Sequence, residues 1–183
     1  MLSTLIERVR AMRNAFQSQN AHALRGISNQ AIREAALQND SLRAEIAVIA
    51  YALHKLLSKE HVRSDKQWQK TQKNVLQKLE EGIKKLENKK IAEFEKNISS
   101  IANQIRETDE SLGNYAQNLM EKSRVKQASS LYALGLSLGQ ATALTNADKK
   151  SLFNYIGYTK MSDENPSQKT IADRVKELEK VLE

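Results

Sequence analysis

The side chains able to do chemistry in this chain are few. Cys is absent, which excludes thiol nucleophiles, disulfides and Cys-ligated zinc. Three His stand at 22, 54 and 61. An Arg roughly four to six residues ahead of one of them would pair an activating cation with a general base, the arrangement of helical-bundle ribonucleases. Arg13 precedes His22 with eight residues between and Arg43 precedes His54 with ten, so the spacing is wrong. His54 falls in an apolar run and reads as a core or rim histidine, and His61 lies in the polar stretch SKEHVRSDKQW. There is no Gly-rich phosphate loop, no His-Glu-x-x-His and no clustered Asp set for a metal. Glu80 and Glu81 sit among lysines as surface residues. We expect no catalysis, no cofactor and no metal. What remains is a short basic and polar set: Lys149, Lys150, Ser151 and Asn154, with Arg124 and Lys126 upstream. Arg and Lys neutralise phosphates, whereas Ser and Asn hydrogen-bond base edges, so these six are the candidate DNA-binding residues.

The elements that must position them are helices. The 183 residues include one Pro and six Gly, too few turn-formers for a sandwich or barrel, and Ala, Leu, Lys, Glu and Gln dominate. Aromatics at 5% leave an aliphatic core. No run reaches the roughly 18 uncharged apolar residues of a membrane span. MLSTLIERVRAM carries Glu7, Arg8 and Arg10 within its apolar pattern and reads as an amphipathic helix rather than a secretory signal, so the expected compartment is the cytoplasm. The net charge is +7, made of +3 over residues 1–58, +4 over 59–108, +2 over 109–160 and −2 over 161–183. Lys alternating with Glu over 59–108 describes a solvated face rather than a single-sign field.

Leu2, Leu5, Ile6, Val9, Met12 and Phe16 recur at three and four, with Arg8, Arg10 and Arg13 on the polar side. A weaker stripe, Leu24, Ile27, Ala31, Ile32 and Ala35, follows, loosened by Gly26. Asn39, Asp40 and Ser41 are N-cap types, and Glu45 favours the dipole of the next helix. That helix, SLRAEIAVIAYALHKLLS, is apolar nearly all round and should be central, with Leu42, Ile46, Ile49, Leu53 and Leu56 in the core. Ser64 or Asp65 caps a helix through Trp68, Val75, Leu76, Leu79, Ile83 and Leu86. A second stripe runs Ile91, Phe94, Ile98, Ile101 and Ile105, rotated about 140° by the five-residue step between them. That rotation, with Asn88 as a left-handed stop, favours an antiparallel hairpin; an unbroken helix is the alternative. A second break is expected over 108–114, then a helix from Tyr115 through Leu119, Met120, Val125, Ala128, Leu131 and Tyr132 to Gly135.

Residues 136–157 suit two short helices. Ser137 caps the first, to about residue 144, Asp148 caps the second, to about Ile156, and Thr145, Asn146 and Ala147 form the turn. A helix-turn-helix needs a small residue at the crossing, a left-handed residue in the turn and apolar pins under the second helix. Ala141 and Thr142, Asn146, and Ala147 with Leu152 supply these. Lys149, Lys150, Ser151, Asn154 and Tyr158 would then face outward, with Phe153 and Ile156 buried. The stretch RVKQASSLYALGLSLGQATALTNADKKSLFNYIG, residues 124–157, resembles the short helix-turn-helix antitoxins of prokaryotic toxin–antitoxin pairs. It departs from them at Thr142, where Ala is usual, and at Asn146, where Gly is usual. The resemblance implies duplex DNA as a ligand and a toxin as a protein partner held by the rest of the chain. The whole chain also looks like small archaeal helical proteins, a likeness that implies no activity.

After Pro166 a capped helix from about residue 168 has the stripe Ile171, Val175, Leu178, Val181 and Leu182. It would pack on the body or zip with a second copy into a homo-oligomer, which suits paired recognition helices. The expected architecture is all-α: an antiparallel helical bundle over residues 1–123 and a C-terminal trihelical helix-turn-helix-like module over 124–183. Its expected function is DNA-binding regulation of antitoxin type. The alternative is a helical scaffold or protein-interaction module that binds no nucleic acid.

Overall fold

Short polar residues decide where the helices begin and end. In the computed structural model, which describes residues 2–111 and 118–159, these are α1 (Leu2–Gln17), α2 (Ala21–Gln38), α3 (Ser41–Leu57), α4 (Glu60–Arg63), α5 (Trp68–Glu87), α6 (Ile91–Ser111), α7 (Leu119–Ala133), α8 (Leu138–Thr145) and α9 (Lys149–Thr159). The described chain is all-helical, with no strand among those residues. Asn20 caps α2 by accepting from the Ala23 N–H, and Asp40 caps α3 by accepting from Leu42 and Arg43. Asn39 takes the left-handed conformation that ends α2 (φ 51°). Asp65 accepts from the Gln67 N–H at 2.7 Å in the turn after α4, a one-turn helix that no stripe announced, but the N-cap of α5 is Gln67, without a side-chain cap bond, so neither Ser64 nor Asp65 caps that helix as expected.

Between α5 and α6 the chain turns back. Thr71 lies 3.4 Å from Thr108, Lys78 donates to the Ser100 carbonyl at 3.2 Å, and Gly82 faces Asn97 and Phe94, a register only an antiparallel pair gives. The left-handed residue of the turn is Lys89 (φ 58°) rather than Asn88, whose amide instead donates to the Lys84 carbonyl and caps α5. The rotated stripes of the two helices thus meet one core, through Leu79, Ile83 and Leu86 on one side and Phe94, Ile98, Ile101 and Ile105 on the other. α1 lies against α5, with Arg13 paired to Glu80 at 3.1 Å, Arg10 to Glu87, and Phe16 edge-on to Trp68 at 6.0 Å. Arg8 reaches Gln30 and Glu34 on α2.

α3 is sheathed on most sides. Ile46, Ile49, Leu53 and Leu56 are buried as expected, along with Ala44, Ala47, Val48, Ala50 and Ala52, while Leu42 is half-buried. Ala31 and Ala35 of α2 and Ala44 and Ala47 of α3 permit a close approach, and the buried Ser28 hydroxyl donates to the Ala47 carbonyl at 2.8 Å. α7 is equally enclosed and carries small and polar residues on its buried sides, including Ser123, Gln127 and Ser129. The division expected at 123/124 falls inside α7, and one hydrophobic cluster runs from Leu5 to Leu152. Of the break expected over 108–114, residues 108–111 are instead the last turn of α6, and 112–114 lie outside the described residues. Asp109 of α6 accepts from the Leu119 N–H at 2.9 Å and starts α7 in place of a local cap. Tyr115, Tyr158 and the expected C-terminal stripe lie outside the residues whose side chains are described.

Arg124 is not a surface cation. Only 6% exposed, it holds Glu45 of α3 through both guanidinium nitrogens at 2.8 Å, and Nη1 also donates to the Thr145 carbonyl at the end of α8. Glu45 therefore serves this pair, across the core, rather than only its own helix dipole. The guanidinium is occupied inside the protein and is withdrawn from the candidate phosphate contacts.

Two predictions follow from this packing. A Cβ at Gly82 would meet Asn97 Oδ1 at 2.8 Å and Phe94 at 3.1 and 3.2 Å, whereas one at Gly26 would meet nothing within 4 Å. In urea unfolding, Gly82→Ala is expected to lose about 1–3 kcal/mol by overpacking, although helix propensity alone favours Ala by about 1 kcal/mol. Gly26→Ala should gain about 0.5–1 kcal/mol. For the buried pair, Glu45→Ala leaves an uncompensated guanidinium and should cost about 3–5 kcal/mol. Glu45→Ala combined with Arg124→Met should cost less than Glu45→Ala alone, and purely additive losses would show that the two side chains do not act as a unit.

Candidate nucleic-acid interface

The segment from Gly135 to α9 is shaped by a succession of local hydrogen bonds. Gly135, at φ +96°, ends α7, and the Leu136 N–H returns to the Leu131 carbonyl at 3.2 Å. Ser137 and Gln140 form a reciprocal capping box at the start of α8: the Ser137 hydroxyl accepts from the Gln140 N–H at 3.2 Å, and the Gln140 side chain accepts from the Ser137 N–H at 3.0 Å. Asn146 ends α8 in the left-handed region (φ 57°, ψ 33°). Asp148 accepts from both the N–H and the hydroxyl of Ser151 at 2.7 Å. These donors, the Ser151 hydroxyl foremost and nearby Lys150 after the backbone, hold the Asp148 carboxyl below its ordinary pKa.

Beneath this turn Ala141, Thr145, Ala147 and Leu152 are buried. Thr142 is half-exposed, and its hydroxyl donates to the Leu138 carbonyl at 2.9 Å, so the extra polar group at that position is satisfied within its own helix. α7, α8 and α9 touch one another pairwise, while α3 supports α7 and α8.

The orientation of α9 sets which side chains are offered outward. At about 100° per residue, Leu152 points inward with Tyr155 and Ile156 beside it. Lys150 and Asn154 therefore share the opposite side, with Phe153 and Ser151 at its borders and Lys149, in the first turn, about 60° from Leu152. All five are exposed, and neither lysine pairs with a carboxylate among the described residues. Phe153, expected in the core, is 65% exposed, because the residue after a fully buried Leu152 lies a quarter-turn away from the packing surface. Ile156 is half-buried.

Of the six candidate residues the structure brings together Lys149, Lys150, Ser151 and Asn154. Arg124 is internal. Lys126 is half-buried and belongs to a different group: burial, then Arg25 of α2 and Lys55 of α3, push its ammonium pKa down. Ser151 is committed to Asp148 and stands at the edge of a cavity between α3, α7 and α9. That cavity is not legible in the sequence, since its lining comes from segments about a hundred residues apart. The signal for Phe153 was available in the helical angle from Leu152. His54 is a rim histidine whose Nδ1 lies 2.8 Å from the Ala21 carbonyl. Among the described residues no group of three or more His, Asp or Glu stands together to hold a metal, and no helix is long and apolar enough to cross a membrane.

Set beside known proteins, the chain matches no family model, no curated protein and no solved structure.

Proposed function

We propose that this chain is a duplex-DNA-binding regulatory protein of antitoxin type, in which α8 and α9 act as a helix-turn-helix. α8 crosses the backbone and α9 enters the major groove. The observation that carries the reading is the outward side of α9. Two lysines that pair with no carboxylate among the described residues open an eleven-residue helix, and Lys150 shares its outward side with an amide, Asn154. Lys149 and Lys150 supply phosphate contacts, and Asn154 has the paired donor and acceptor that read an adenine edge. Ser151, already bonded to Asp148, contributes at the border of that side. The remaining helices serve oligomerisation or hold a protein partner such as a toxin.

Phe153 favours a second reading. A large aromatic ring exposed at the border of the same surface suits a protein partner, which would make α9 part of a helical interaction module without nucleic acid.

Salt separates the two. Fluorescence anisotropy with a mixed-sequence duplex should show affinity falling steeply as salt rises, because each neutralised phosphate releases counterions. Lys149→Glu with Lys150→Glu should weaken binding by at least about tenfold and flatten the logarithmic salt slope by about two. Unchanged affinity in that double variant would remove α9 from the interface. Absence of binding by the wild-type chain, with a partner captured only when Phe153 is intact, would favour the interaction module.

A further inference from the structure

A cavity lies on the other side of α9. It has a volume of about 690 Å³, within the roughly 300–1,000 Å³ range of small-molecule sites. Tyr51 of α3 and Tyr155 of α9 contribute aromatic walls, Leu119 and Val125 of α7 an aliphatic floor. Lys55, Lys59 and Lys122 line it as well, against a single carboxylate, Glu121.

These three lysines have no ion pair among the described residues, and the Lys55 ammonium stands 5.4 Å above the Tyr51 ring. His54, one turn of backbone away from the cavity wall, has its pKa lowered first by burial and then, after an opposing hydrogen bond to Ala21, by Lys55, Arg25 and His22. The two phenols share the space, since burial and then the neighbouring Tyr51 raise the Tyr155 pKa. An apolar cavity with two aromatic walls and an unmatched excess of ammonium groups is complementary to one kind of small molecule.

We infer that the cavity between α3, α7 and α9 is a binding site for a small organic anion with an aromatic body, its rings against Tyr51 and Tyr155 and its acidic group towards Lys55, Lys59 and Lys122. The site is independent of the DNA reading. It uses the inward edge of α9, whereas that reading uses Lys149, Lys150 and Asn154.

The full-length chain can be titrated with anilinonaphthalene sulfonate and, separately, with its uncharged counterpart phenylnaphthylamine. Saturable one-to-one fluorescence enhancement is expected for the sulfonate, with the neutral dye bound at least about tenfold more weakly. Lys55→Gln with Lys59→Gln should weaken the sulfonate by about tenfold and leave the neutral dye unchanged. Tyr51→Ala should weaken both dyes. Lys122→Gln, at an exposed position, repeats the charge test should the double variant lose its helical circular dichroism. No saturable binding, equal affinity for the two dyes, or a sulfonate affinity indifferent to the lysine substitutions would each overturn the site.

Discussion

One buried cation fixes how the last third of the described chain sits on the rest. Arg124 is enclosed by α3, α7 and α8, and an ionised guanidinium in such a place is tolerated only when its donors are engaged. Glu45 takes two of them side by side, and the Thr145 carbonyl takes another. The carbonyl is one of the four that a helix leaves unsatisfied at its C-terminus, where a positive charge is also favoured by the dipole. A single side chain on α7 therefore clamps the middle of α3 to the last turn of α8. Since Asn146 follows immediately, in a left-handed conformation with little latitude, the start of α9 is set by the same clamp.

That arrangement explains which parts of the fold were readable from residue order. Caps act over three or four residues, so Asp40, Ser137, Asp148 and Gly135 announce their helix ends without reference to anything distant. Stripes of aliphatic residues are nearly as local, and those of α1, α5 and α6 meet the core as their spacing implies, apart from Ile91, which is exposed at the start of α6. α7 is legible only in outline. Neighbours cover it on most sides, so its buried positions form no stripe, and its polar residues are buried because specific partners satisfy them. Arg124 looked like a phosphate contact for that reason: its partner lies 79 residues away. The same distance argument applies to Asp109, which starts α7 from the end of α6, and to the cavity, whose tyrosines come from α3 and α9.

The turn between α5 and α6 shows a subtler limit. The rotation between two stripes favoured a reversal over an unbroken helix, and the reversal is there. Which residue adopts the left-handed conformation was decided by side-chain chemistry: Asn88 uses its amide to satisfy a terminal carbonyl of α5, and the strain of positive φ falls on Lys89. A propensity ranking treats the αL position in isolation, whereas the chain weighs it against an unsatisfied carbonyl.

α9 is where these constraints meet function. It packs on α7 and α8 rather than in the middle of the core, and three sides of it have different company. Leu152 anchors it. Its outward side carries Lys150 and Asn154 with Phe153 at one border, while Ser151 and Tyr155, at the other, turn towards the cavity lined by α3 and α7. A molecule seated in that cavity would touch α9 directly, yet it could alter the outward side only by binding two positions of α9 with different affinity. Because the N-terminal end of the helix is tied to the Arg124 clamp through Asn146 and Asp148, such a difference would be felt at Tyr155 and beyond, towards the C-terminal end. Lys149 and Lys150, in the clamped first turn, would keep their place, and the residues from Phe153 onward would carry the change.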